Sequence, residues 1–275
     1  MITSNTKLYC IFGNPVEHSL SPIIHNACFK KHSIDAKYIA FQTQNIQSAI
    51  EAMRSLNILG ASITLPFKTQ VLQYVDELDE FSNKSGAANT LKNQNGKIFA
   101  YNTDGLGSLN SIRESGIDLN SSNILIIGYG GSCKSILSSL LEFSENIWIT
   151  GRNIDKAKSI VKENINFIEL DKLQDTINNF NLIINTTPIG MTPNTNLIPI
   201  PENLILSSHT VFDIVYSPHT TKLLDIAQKK GCKIIRGIDM LVNQAILQFK
   251  IWTNGIVPEK EFILDEIRKY QHTEL

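Results

Sequence analysis

Short apolar runs bounded by turn residues alternate with segments whose apolar positions recur every three or four residues, and the alternation continues along most of the chain. Lys7–Gly13 (KLYCIFG) is apolar and stopped by Gly-Asn-Pro, which predicts a buried strand. Ser21-Pro22 predicts a helix start, with the serine as N-cap and the proline in the first helical position. A strand over Lys37–Gln42 follows, then an amphipathic helix in which Ile46, Ala49, Ile50, Met53 and Leu56 share one face. Gly60–Thr64 reads as a third strand. Gln94-Asn95-Gly96-Lys97 lies between two strand-like runs and predicts a hairpin turn, because Asn-Gly accepts positive φ.

Further on, a helix from about Gly105 to Ser115 ends at Gly116. Strands over Asn123–Ile127 and Asn146–Thr150 flank a helix over Gly131–Phe143. More strands are expected at Asn166–Glu169, Leu182–Asn185, Val211–Ile214 and Lys233–Arg236, with helical stretches between them. Two helices, Asp239–Asn254 and Pro258–Tyr270, close the pattern. This repetition predicts an α/β fold with parallel strands covered by helices on both faces. At 275 residues the chain exceeds one average domain, so two are expected, meeting in the helix near residues 105–117.

Composition narrows the class of function more than the fold. Apolar residues make up 42% and charged residues 19%, the net charge is −1 and the isoelectric point is near 6.6. There is no basic surplus or stripe for a nucleic acid, so small molecules are the expected ligands. No apolar run nears the roughly 18 residues of a membrane helix. The first residues lack a signal-peptide pattern, and a cytoplasmic protein is expected. Cys10, Cys28, Cys133 and Cys232 are scattered without metal-ligand spacing, and the histidines form no metal signature. Reduced thiols and no metal are the expectation.

One stretch carries a specific ligand signal. Strand Ile124-Leu125-Ile126-Ile127 runs into Gly128-Tyr129-Gly130-Gly131-Ser132 and then a helix. Glycines there allow a tight turn and let backbone N–H groups approach a pyrophosphate at the positive end of the helix. Cys133 holds the place of the motif's third glycine. The next strand ends Thr150-Gly151-Arg152-Asn153, where an NAD site usually carries an acidic residue for the ribose. Arg152 could instead clamp the 2′-phosphate of NADP.

Three other segments put polar residues at strand ends. Ser19-Leu20-Ser21-Pro22 brings two hydroxyls to a helix start, able to receive a carboxylate or simply to cap the helix. Thr64 and Lys68 stand just past a strand in Ser62-Ile63-Thr64-Leu65-Pro66-Phe67-Lys68. Asn89-Thr90 and Asn102-Thr103-Asp104 flank the predicted hairpin, and Asp104 alone would read as an N-cap.

Taken in order, these pieces resemble the shikimate dehydrogenase family. The matching motifs are Gly13-Asn14-Pro15-Val16-Glu17-His18-Ser19-Leu20-Ser21-Pro22, Thr64-Leu65-Pro66-Phe67-Lys68, Gly86-Ala87-Ala88-Asn89-Thr90, Asn102-Thr103-Asp104-Gly105, Asn185-Thr186-Thr187-Pro188-Ile189-Gly190-Met191 and Met240-Leu241-Val242-Asn243-Gln244. They span nearly the whole chain. The resemblance implies NADP-dependent interconversion of 3-dehydroshikimate and shikimate, a step toward chorismate and the aromatic amino acids.

The resemblance also implies roles. Ser19 and Ser21 would hold the substrate carboxylate, with Tyr216 near it. Thr64, Asn89, Asp104 and Gln244 would hydrogen-bond the ring hydroxyls. Lys68, paired with Asp104, would be the acid–base group. Gly128, Tyr129, Gly130, Gly131, Ser132 and Arg152 would bind NADP, while Ile214 and Gly237 would approach the nicotinamide end through their backbones. The implied architecture is an α/β substrate domain (1–104, completed by helices in 240–275) beside a Rossmann domain (105–239), with the protein a monomer or homodimer.

Departures from the family pattern are Ser62 where asparagine is common, Ala100 for a glycine, Tyr129 for a small residue, and Gly151 and Asn153 around Arg152. The last pair bears on the cofactor clamp. A quinate/shikimate dehydrogenase preferring NAD and a non-catalytic dinucleotide sensor are the alternatives. Joint retention of Lys68 and Asp104 speaks against the sensor.

Overall fold

In the computed structural model, which describes residues 2–158, 160 and 165–273, the chain divides into two units, Met1–Gly107 with Val242–Leu275 and Ser108–Leu241.

The first unit holds a six-stranded sheet of β1 (Lys7–Gly13), β2 (Ala36–Gln42), β3 (Gly60–Ile63), β4 (Glu77–Leu78), β5 (Thr90–Gln94) and β6 (Lys97–Tyr101), in the order β2-β1-β3-β5-β6-β4. Its helices include α1 (Ser21–Lys31), α2 (Ile46–Ser55), the short α3 (Glu80–Ser85) and the start of α4 (Asp104–Glu114). Helix α2 forms because its apolar residues fall on one face. Ile46, Ile50 and Met53 lie at or below 2% exposure beside Cys10, Phe12, Ile63, Leu91 and Ile98. Burying each such side chain is worth about 1.5–3 kcal/mol. Leu56 does not join them: the helix ends at Ser55 and Leu56, in the cap position, is 68% exposed.

The sheet is mixed rather than parallel throughout. β1, β2 and β3 are parallel, but β5 runs antiparallel to both β3 and β6. The hairpin accounts for the β5–β6 reversal, with Asn95 at φ 56° and Gly96 at φ 87°, as an Asn-Gly turn permits. The beginning of β5 therefore lies at the same edge as the ends of β1, β3 and β6. Ser19–Ser21, Thr64–Lys68, Asn89 and Asn102–Asp104 all follow or precede those strand ends.

The second unit contains β7 (Ile124–Ile127), α5 (Gly131–Leu140), β8 (Ile147–Thr150), α6 (Ile154–Lys158), β9 (Ile165–Phe167), β10 (Leu182–Asn185), β11 (Thr210–Asp213), α7 (Lys222–Lys229) and β12 (Lys233–Arg236). The order β12-β11-β10-β7-β8-β9 is parallel throughout and is that of a Rossmann dinucleotide fold. Every residue of β7, β10 and β11 is buried, as expected for strands covered on both faces. The helices expected around β10 are only one- or two-turn 3-10 segments at Leu170–Asp175, Ile177–Asn179 and Glu202–Leu204. Leu173, Ile177 and Leu204 still bury against Leu125, Ile183 and Val211. The chain returns to the first unit through α8 (Gly237–Trp252) and then α9 (Lys260–Thr273). No helix among the described residues is long and apolar enough to cross a membrane.

Candidate active site

Lys68 and Asp104 meet at the sheet edge of the first unit. The Lys68 ammonium donates to Asp104 Oδ2 at 2.6 Å, with the two side chains 14% and 7% exposed. Asp104 Oδ1 accepts from Asn89 Nδ2 at 2.8 Å, so both carboxylate oxygens are engaged. Asp104 is the first residue of α4, where the helix dipole favours negative charge. It is not the N-cap. Thr103 stands in the cap position, and the capping side chain is that of Asn102 one residue further back, its Oδ1 accepting from the N–H groups of Asp104 and Gly105 while its Nδ2 binds Ser85 Oγ and the Ala87 carbonyl.

Asn89 is the hub. Its Nδ2 lies 2.9 Å from Thr103 Oγ1, 2.8 Å from Asp104 Oδ1 and 3.1 Å from Gln244 Oε1. Three acceptors compete for two protons, so the amide can exchange a contact for a ligand hydroxyl. Asn89 Oδ1 accepts from Thr103 N–H at 2.7 Å. Gln244 comes from α8, and it reaches the hub because α4 presents Gly107 there. A Cβ on Gly107 would sit 2.8 Å from the Gln244 Cβ.

The serine motif differs from its expected capping role. Helix α1 begins at Ser21, and its N-cap is Leu20, which makes no side-chain cap hydrogen bond. Ser19 Oγ instead accepts from Ser21 N–H at 3.3 Å. The tight Ser19-to-Val16 turn sets this arrangement, by moving the cap position one residue back. Thr64 is half-buried at the end of β3, its methyl filling the space a side chain on Gly13 would need.

In the second unit, chain order reverses between β7 and β10, and ligands of such sheets bind at that switch point beyond the carboxyl ends of the strands. Gly128, at φ 118°, could carry no side chain: a Cβ would stand 2.5 Å from Thr186 Oγ1, just past β10. Gly130 is the N-cap of α5, and a Cβ there would meet nothing within 4 Å. That open ground before an uncapped helix start fits a pyrophosphate. Gly131 and Ser132 form the first turn. Cys133, in place of the third glycine, is buried, and burial pushes its thiol up to about 12, so it is a packing residue.

Two departures from the family pattern explain each other. The Tyr129 ring lies where a side chain at 151 would go, 2.8 Å from a Cβ built on Gly151. The larger residue in the loop needs the glycine after β8. Arg152 is exposed beside it, and Asn153 caps α6 through Lys156 N–H at 2.9 Å.

Past β11, Ile214 and Tyr216 are half-buried. Gly237 packs against that loop, since a Cβ would stand 2.5 Å from the Ile214 and Val215 carbonyls. The loop is held by Asp213, which the sequence reading did not single out. Its carboxylate accepts from Thr221 Oγ1 (2.6 Å), Asn185 Nδ2 (2.9 Å) and Val215 N–H (3.1 Å). Burial nonetheless raises its pKa to about 6. Thr103, Asn102 and Thr186 were also missed as site-builders, although each stands inside a quoted motif. No group of metal-ligating side chains occurs among the described residues, and the cysteines are free and buried.

Comparison with known proteins places this geometry. Residues 11–91 match the model for a shikimate dehydrogenase substrate binding domain, 111–194 that for shikimate / quinate 5-dehydrogenase, and 237–268 that for a shikimate 5′-dehydrogenase C-terminal domain. Shikimate dehydrogenase (NADP(+)) of Methanococcus maripaludis strain C6 is 43% identical, over 92% of this chain and 94% of its own. That of Pyrococcus furiosus is 41% identical, over 92% of each chain. A crystal structure of shikimate dehydrogenase in complex with NADP+ superposes with a TM-score of 0.90 at 35% identity, covering 98% of this chain and 97% of that one. The Thermus thermophilus enzyme in complex with NADP(H) and shikimate gives 0.86 at 28% identity, covering 96% and 99%.

Proposed function

The chain belongs to the shikimate dehydrogenase family, and on that premise we propose that Lys68, Asp104 and the residues hydrogen-bonded to them carry out the reaction of its relatives, the reversible NADP-dependent reduction of 3-dehydroshikimate to shikimate. The observation that carries the reading is the 2.6 Å Lys68–Asp104 pair, tied to Asn89 and through it to Gln244.

NADPH, when bound, supplies the hydride that reduces the ring carbonyl. Charge then develops on the carbonyl oxygen, and the chain's task is to stabilise it and deliver a proton. A lysine ammonium can do both, as a fixed positive charge and as a proton donor to the alkoxide. Asp104 directs the ammonium with one oxygen and keeps Asn89 in place with the other. In the oxidation direction the same lysine, as the neutral amine left by that proton transfer, receives the hydroxyl proton.

The rest of the site orients the substrate. Asn89, Thr64 and Gln244 hydrogen-bond the ring hydroxyls, and Ser19 and Ser21 receive the carboxylate, with Tyr216 near it. Removing Ser21 from capping suits that role, because its hydroxyl is not committed to the helix end. Gly128 to Ser132 cradle the pyrophosphate and Arg152 meets the 2′-phosphate, while the backbones of Ile214 and Gly237 border the nicotinamide. The ligands are small molecules, and the protein works in the cytoplasm as a monomer or homodimer.

The test is steady-state turnover of shikimate by the purified protein with NADP and with NAD, and of quinate in parallel. Shikimate oxidation with NADP preferred is the expected result. Absence of turnover with either cofactor would overturn the reading.

A further inference from the structure

Gln248 stands one helical turn beyond Gln244 on α8 and reaches the same hub from behind. It is 1% exposed and uses all its hydrogen-bonding capacity. Nε2 donates to the Asn89 carbonyl at 3.1 Å and to Thr90 Oγ1 at 2.9 Å. Oε1 accepts from Ser62 Oγ at 3.0 Å and lies 3.2 Å from His25 Nε2. The Asn89 carbonyl can only accept, so the amide cannot be turned over, and Oε1 then requires the imidazole proton on His25 Nε2. Tyr38 extends the chain by donating to Ser62 Oγ at 2.6 Å. His25 is stacked on Tyr38, with ring centroids 4.7 Å apart, and lies edge-on to Trp252 at 4.9 Å.

A buried polar cluster is costly unless every contact is good, and an apolar side chain at 248 would fill the space more simply. The amide adds something methionine or leucine would not. It holds the Asn89 backbone carbonyl together with Ile63 N–H (2.8 Å), while Thr103, Asp104 and Gln244 hold the Asn89 side chain. Asn89 is thereby fixed at both ends, and its amide direction sets both the ligand contact and the Asp104 carboxylate.

We propose that Gln248, backed by Ser62, Tyr38 and His25, is a positioning residue that acts on shikimate through Asn89. The proposal rests on the reading of Asn89 as a substrate contact. α1 carries both Ser21 and, one turn on, His25, so the same cluster ties the proposed carboxylate end of the site to its hydroxyl end.

The experiment is a cycle: Gln248→Met and the milder Ser62→Ala, each in the wild-type and Asn89→Ala backgrounds, with kcat/KM for shikimate, NADP affinity and melting temperature measured for all. Gln248→Met is expected to lower kcat/KM for shikimate about 10-fold or more, by displacing the contact geometry, and to leave NADP affinity within about twofold. In the Asn89→Ala background it should cost less than about twofold further in kcat/KM. Ser62→Ala should follow the same pattern with a loss of roughly threefold, and it carries the cycle if Gln248→Met does not fold. Equal losses of kcat/KM in both backgrounds would mark Gln248 as structural only and overturn the proposal. An impaired Asn89→Ala beside an unimpaired Gln248→Met and Ser62→Ala also overturns it, while leaving the reading of Asn89 intact. Wild-type activity in Asn89→Ala sinks that reading and the positioning role together.

Discussion

Replacing Lys68 by methionine keeps most of the alkyl stem and removes the charge. With both partners largely buried 2.6 Å apart, the gross attraction is about 6 kcal/mol at an effective dielectric of about 20. Most of that offsets desolvation, so the larger effect comes from stranding the Asp104 carboxylate. Leaving one member of a buried pair uncompensated costs about 3–5 kcal/mol. Lys68→Met should therefore lower the melting temperature by roughly 10 °C. It should also cut turnover by about 10²–10⁴-fold, the size of a general acid–base contribution. NADPH affinity should stay near wild type, because Lys68 sits in the first unit and the glycine loop in the second. Asp104→Asn should lose activity as well. The double variant should be more stable than the sum of the single losses predicts and less impaired than their product, since the pair acts as a unit. Steady-state oxidation of shikimate, thermal melts and fluorescence titration of NADPH measure these quantities. Turnover in Lys68→Met within about threefold of wild type would remove Lys68 from the chemistry, and strictly additive stability losses would remove the pair as a coupled unit.

Three further outcomes follow from the same geometry. Ser19→Ala and Ser21→Ala should each raise the Michaelis constant for shikimate by roughly 10–150-fold, the worth of a donor to a carboxylate, with turnover little changed; unchanged constants in both would leave the motif with a structural role alone. Arg152→Ala should weaken NADPH by roughly 10–150-fold and hardly affect NADH, because only the former carries the 2′-phosphate; equal loss with both cofactors would contradict the assignment. His25 is buried without a neighbouring charge and its pKa is lowered to about 3, so the folded chain binds this proton less readily than the unfolded one. Its contribution is present above about pH 6.5 and is lost progressively as pH falls toward 3, by at most about 5 kcal/mol. Urea denaturation of wild type and His25→Phe across that range should therefore converge on the acid side, whereas parallel curves would contradict the buried neutral imidazole.

How much of this was legible in the sequence depends on how local the cause is. The Asn-Gly hairpin, the apolar face of α2 and the glycine turn after β7 each follow from a few adjacent residues, and each is where the pattern put it. Leu56 fits the same periodicity but lies past the helix end, because periodicity does not mark where a helix stops. The serine motif was misread as a cap for a related reason. A serine before proline has the composition of an N-cap, yet a backbone turn from Val16 to Ser19 moves the cap to Leu20. Contacts between distant segments were legible only as motif order. Lys68 and Asp104 could be paired by resemblance, but no spacing along the chain says that the start of β5 shares an edge with the end of β3. That depends on β5 running backwards against β3, which the long connection between them leaves open and the local β5–β6 hairpin does not fix. Tyr129 and Gly151 each looked like a separate departure until the ring of one was found in the space vacated by the other. Gln248 was hidden most completely. Its only sequence signal is standing four residues after Gln244 on an otherwise apolar helix face, where a buried amide must find partners on other segments or destabilise the core. Its partners are Asn89, Thr90, Ser62 and His25, on segments of the chain far from it in sequence, and they are what turn an unremarkable glutamine into a support for the candidate site.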